Sequence, residues 1–91
     1  MIESTKGKET VKILAGEVSK KLPRDIQQSA RDALKLIDNM TKIEALRKFP
    51  GLKVKKINDQ FSVRINDQWR ILVDWDAERS IASNVEICDY H

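Results

Sequence analysis

The sequence holds one cysteine, one histidine, two prolines, three glycines and five aromatic residues in 91 positions. A lone Cys88 excludes an internal disulfide, and with no second cysteine to share a metal it reads as a buried or half-buried strand thiol. No apolar run approaches the ~20 residues needed to span a bilayer; Ile71-Leu72-Val73 is typical of the longest. The start, Met1-Ile2-Glu3-Ser4-Thr5-Lys6, lacks the apolar core of an export signal, so a cytoplasmic protein with no membrane partner is expected. Repeats, low-complexity tracts and Gly/Ser linkers are missing as well, and the length leaves room for one domain over residues 1–91. Such a chain buries roughly 60 to 68 % of the surface it exposes when unfolded. Neither a metal constellation nor a cofactor motif is visible.

Charge is abundant but unevenly placed. Residues 1–56 carry 14 Lys+Arg against 7 Asp+Glu, a net of +7, whereas residues 57–91 carry 3 against 7, a net of −4. The basic part can meet a polyanion or simply form a solvated helical surface. The acidic part holds its few arginines for more specific reasons.

Apolar spacing predicts the elements. Residues 2–5 read as a short strand and Lys8 to Ala15 as a short helix ended by Gly16. A stronger helix starts at Pro23, with Ile26, Ala30, Ala33, Leu34, Ile37 and Met40 on one face. Thr41-Lys42-Ile43-Glu44 has the form of a capping box opening a third helix to about Lys48. Pro50-Gly51 breaks the helical pattern, and four strands are expected at Leu52 to Ile57, Phe61 to Asn66, Trp69 to Asp76 and Asn84 to Asp89. Helices first and strands afterwards predict an α+β fold: a short N-terminal strand and two to three helices packed on a mostly antiparallel four- to five-stranded sheet.

The middle strands alternate cleanly. Phe61, Val63 and Ile65 share one face, as do Trp69, Ile71, Val73 and Trp75 in the next strand. If both sets face the helices, a loop of Asn66, Asp67 and Gln68 places Ile65 opposite Trp69. Arg64 then lies opposite Arg70 on the other face, where like charges destabilise by roughly 0.2 to 1 kcal/mol. A bound phosphate would reverse that sign, each charge-assisted hydrogen bond contributing about 1.5 to 3 kcal/mol. A surface network with Asp74, Glu86 or Asp89 would also answer it.

The chain ends Asp89-Tyr90-His91. A terminal histidine is ordinarily a solvent-exposed end, yet beside an arginine pair these groups make a set for RNA cleavage without metal. In that chemistry the ribose 2′-hydroxyl attacks the adjacent phosphorus, a base takes its proton, and an acid protonates the departing 5′-oxygen. Cations stabilise the charge that builds on the phosphorane-like transition state. His91 suits proton transfer near neutral pH, and its own terminal carboxylate favours the imidazolium. Arg64, Arg70 and a lysine among Lys53, Lys55 and Lys56 would form the cationic clamp. The same lysines also keep an edge strand from aggregating.

Phe61-Ser62-Val63-Arg64-Ile65-Asn66-Asp67-Gln68-Trp69-Arg70-Ile71 and Val85-Glu86-Ile87-Cys88-Asp89-Tyr90-His91 resemble the two signature stretches of HigB-type toxins, within the RelE/ParE superfamily and its plasmid maintenance system killer family. Leu22-Pro23-Arg24-Asp25-Ile26-Gln27, Ala30 and Leu36-Ile37-Asp38 resemble that family's long helix. The resemblance implies a RelE-like fold and a toxin of a type II toxin–antitoxin system. Such a toxin is a ribosome-dependent mRNA endoribonuclease, a hydrolase that inhibits translation. Its partners would be a helix-turn-helix antitoxin of the HigA kind, the ribosome and mRNA, with operator DNA reached only through the antitoxin complex. Position by position, Arg70 would bind the scissile phosphate and Asp89, Tyr90 and His91 would line the catalytic site, His91 as acid or base. Arg64 occupies a position commonly basic in the family.

Two departures stand out. The family usually has a Lys-Gly-Asp turn where this chain has the shorter Ile57-Asn58-Asp59-Gln60, so that Lys55 or Lys56 would substitute from the preceding strand. Gly7 stands where many relatives have histidine. A catalytically degenerate scaffold that binds antitoxin or ribosome without cutting is the alternative expectation. A gyrase-inhibiting relative of the ParE type fits less well, because those chains typically lack this ending.

Overall fold

The computed structural model describes residues 1–89, and Tyr90 and His91 lie outside them. The first helix, α1, spans Lys8–Leu14. It ends as the sequence predicts: Gly16 adopts φ 84, which only glycine takes at little steric cost. Gly16 N–H donates to the Ile13 carbonyl and Glu17 N–H to that of Lys12, so the last carbonyls are satisfied in a Schellman arrangement. The second helix, α2, spans Arg24–Asn39, with Pro23 as its capping residue. All six apolar positions expected on one face, Ile26, Ala30, Ala33, Leu34, Ile37 and Met40, are buried.

The capping box is not formed. Lys42, in extended conformation, precedes the next turn, and no side chain caps it. The segment Ile43–Lys48 is a 3-10 helix rather than an α-helix. Its buried anchors are Ile43 and Leu46, three residues apart, and i and i+3 eclipse only in the tighter helix. The Thr41 carbonyl instead accepts from the Ser80 hydroxyl at 2.7 Å. A further 3-10 turn, Pro50–Leu52, leads to Lys53 in the left-handed region at φ 39.

Four strands follow: β1 Lys55–Ile57, β2 Gln60–Arg64, β3 Trp69–Asp76 and β4 Ile81–Asp89. They form an antiparallel sheet in sequence order. The N-terminal segment runs parallel along the outer edge of β4 through bridges Ile2 to Ala82 and Thr5 to Val85. Strand β4 begins three residues earlier than the alternation predicts. The reason is a bulge: the two-residue step of β3 from Leu72 to Asp74 is matched by a three-residue step of β4 from Glu86 to Ser83. Asn84 sits there at φ 51, its amide donating to Asp74 Oδ2 at 2.7 Å. The extra residue shifts the inward phase, so Ala82, Val85 and Ile87 are all buried although their spacing is not uniform.

One face of the sheet carries Val63, Ile71, Val73, Val85 and Ile87 into a single cluster with α1 and α2. Thr10 on α1 joins helix to sheet, its Oγ1 accepting from Ile87 N–H at 3.0 Å. The opposite face, bearing Arg64, Arg70, Leu72, Glu86 and Cys88, is only partly buried. No helix among the described residues is long and apolar enough to cross a membrane.

Candidate anion-binding cleft

Arg64 and Arg70 are direct partners across the β2–β3 hairpin, as strand parity predicts. The connecting loop holds the expected Asn66, Asp67 and Gln68, with Ile65 N–H donating to Trp69 O at 2.9 Å. Asn66 Oδ1 accepts from both Gln68 N–H at 2.9 Å and Trp69 N–H at 2.8 Å, which fixes the turn. The turn in turn receives the two guanidinium groups. Arg64 Nη2 pairs with Asp67 Oδ1, and Arg70 Nη1 donates to the Asn66 carbonyl and to Trp69 O. Local acceptors, one of them a carboxylate absent from the expected set, therefore hold two like charges side by side. Asp74, named as a possible partner, is engaged by Asn84.

The arginines form one wall of a cleft of about 200 Å³ on the open sheet face, lined by Lys53, Lys55, Ile57, Ser62, Arg64, Asp67 and Arg70. Lys55 pairs with Ser62, and Ser62 with Leu72, so this row lies one step from the Arg64–Arg70 row along the strands. Ser62 is 4 % exposed even on the open face. Its small side chain sits where a larger residue would fill the floor. Lys53 reaches the same space from its left-handed position at the end of the Pro50–Leu52 turn. Four cationic side chains thus face one carboxylate. Arg64 holds the Asp67 carboxyl below the usual aspartate range, first by hydrogen bonding and then by its charge, so Asp67 stays ionised.

The remaining expected site residues are distributed as follows. Lys56 alternates to the other face of β1 and borders Thr41, Glu44, Phe61 and Trp75, away from the cleft. Asp89 pairs with Trp69 at the end of β4 and accepts from Gln68 Nε2 at 3.0 Å. Cys88 is the cross-strand neighbour of Arg70. Burial, helped by the Glu86 and Asp89 carboxylates, pushes its thiol up despite that arginine, which makes it a poor nucleophile at neutral pH. Tyr90 and His91, expected at the catalytic centre, lie outside the described residues.

Sequence reading missed Asp67 and Ser62 as parts of this site. An acid three residues after Arg64 in a short loop was the available signal for the first. The burial of Ser62 depends on flanking strands and had none.

The cleft can bind an anion with several donors at once, two guanidinium groups supplying paired N–H donors and two ammonium groups supplying point charge. No family model matches the chain, and a search of curated proteins finds no match either.

Proposed function

We propose that the chain is a RelE-like toxin of the HigB type that cleaves mRNA on the ribosome and is neutralised by a helix-turn-helix antitoxin. The observation that carries this reading is the convergence of Lys53, Lys55, Arg64 and Arg70 on one cleft around a single carboxylate. An RNA phosphodiester fits that chemistry, and its transition state, carrying an additional negative charge, fits it better. The 2′-oxygen forms its bond to phosphorus as the bond to the 5′-oxygen breaks, leaving a cyclic phosphate and a 5′-hydroxyl. Arg64 and Arg70 would hold the phosphoryl oxygens. Asp89 closes the strand paired beside Arg70, Tyr90 and His91 come next in the sequence and lie outside the described residues, and the reading assigns proton transfer to His91.

A second reading is favoured by a particular observation. The tight turn at Asn58 and Asp59 offers no lysine, and Lys56 is directed away from the cleft. A scaffold that binds antitoxin or ribosome without cutting would have these features.

Brief induction in bacteria followed by primer extension on abundant transcripts separates the two. Cleavage is expected with the unaltered chain, and none with His91→Ala, while antitoxin co-purifies with both. Arg70→Ala should slow cleavage by roughly 100-fold or more with its circular dichroism retained. Cutting that persists in His91→Ala would remove His91 from the mechanism, and intact transcripts with the unaltered chain would favour the scaffold.

A further inference from the structure

A second concavity adjoins the cationic cleft. It is a groove of about 530 Å³ between α2 and the Pro50–Leu52 turn, within the size range of small-ligand sites. Ala33, Leu36, Leu52 and Ile65 form its apolar walls, and Phe49 stands at its side with 47 % of its surface exposed. Phe49 is the one aromatic side chain among the exposed large apolar residues of the described chain.

Cleft and groove meet at two points. Arg64 lines both, and the consecutive residues Leu52 and Lys53 line one each. A ligand spanning them would carry an anion joined through a short linker to an apolar group, as a nucleotide's ribose joins phosphate to base. We propose that the groove is a nucleobase subsite, in which a base neighbouring the bound phosphate stacks on Phe49; this rests on the reading of the cleft as an RNA phosphate site. Stacking on an exposed aromatic side chain is how proteins hold unpaired bases, since every base presents a π-face. Asp32, at the groove's edge, supports a base over a second phosphate: its carboxylate accepts from exocyclic amines and repels phosphoryl oxygens. Its Oδ1 already accepts from Gln28 at 2.9 Å, which orients the group.

Gly51 provides a variant that does not disturb the core. A Cβ there meets nothing within 4 Å, and its φ is not in the left-handed region, so the backbone accommodates a larger side chain at this groove-lining position.

The test is fluorescence anisotropy at low salt with a labelled six-nucleotide single-stranded RNA and with the matching abasic ribose-phosphate oligomer. Phe49→Ala is expected to weaken RNA binding roughly 10- to 100-fold, the range of one lost stacking contact, and to leave abasic binding unchanged. Phe49→Trp should retain RNA binding, and Gly51→Leu should weaken it with an unchanged melting temperature. Equal RNA affinity of Phe49→Ala and the unaltered chain overturns the subsite and leaves the groove to a protein partner. Parallel loss of RNA and abasic binding in Phe49→Ala overturns it too, since the ring would then act through the fold. Failure of the underlying reading looks different: the unaltered chain would bind neither oligomer, or Arg64→Ala would bind both as well as it does.

Discussion

Asp67 is 98 % exposed in its side chain, yet it determines how available Arg64 is. A carboxylate paired with a cleft arginine competes with any incoming phosphate for the same N–H donors. Asp67→Asn should therefore bind inorganic pyrophosphate or short RNA several-fold more tightly, by isothermal titration, than the unaltered chain. The direction of its pKa gives a pH dependence. Because Arg64 holds the carboxyl below the ordinary aspartate range, competition persists at neutral and mildly acidic pH and is relieved only as pH falls through that lowered value. The pair's contribution to stability follows the same course, present above the unfolded pKa and lost as pH falls through the folded one. Affinity that rises in acid for the unaltered chain but not for Asp67→Asn is the expected signature; identical pH profiles would remove Asp67 from competition. Glu9 behaves in the same sense, since the Ser19 hydroxyl donates to it at 2.6 Å and lowers its pKa, but it lies on α1 and its role is to tie that helix to the following loop.

At the level of elements, the hairpin and the bulge do different work. The β2–β3 turn sets register, and with it the meeting of Arg64 and Arg70; a slip of one residue between the strands would put the two arginines on opposite faces of the sheet. The bulge at Asn84 corrects the phase of β4 so that Val85 and Ile87 reach the core. A β-branched residue tolerates φ 51 poorly, so Asn84→Val should be less stable in urea unfolding by about 1 to 2 kcal/mol than Asn84→Gly, both having lost the hydrogen bond to Asp74. Equal stability of the two variants would mean that the bulge relocates at no cost.

For the whole molecule, the arrangement is a division of faces. One side of the sheet is closed by α1 and α2 over a continuous apolar cluster, and the other keeps arginine and lysine accessible above a small buried serine. Net charge is only +3, so attraction of a polyanion depends on where the cations gather rather than on their number. Affinity for single-stranded RNA should fall with salt by a logarithmic slope of roughly −0.7 for each phosphate neutralised. The double change Lys53→Ala with Lys55→Ala should flatten that slope, and Lys56→Ala, on the opposite face of β1, should not. Equal effects from the two variants would indicate diffuse attraction instead of a cleft.

Periodicity alone determined the buried stripe of α2, the end of α1 at Gly16, the order of helices before strands, and the parity that opposes Arg64 to Arg70. These are local properties: a period of 3.6 or 2 and a glycine's φ are written within a few neighbouring residues. Only the tertiary structure decided that Thr41 would leave its expected cap, that β4 would begin at Ile81 across a bulge, that Lys56 would face away while Lys53 and Lys55 joined the arginines, and that Ser62 would form a buried floor. Each of these depends on a partner distant in the chain, Ser80 for Thr41, Asp74 for Asn84, Leu72 for Ser62, and such contacts exist only once the sheet has closed on its helices.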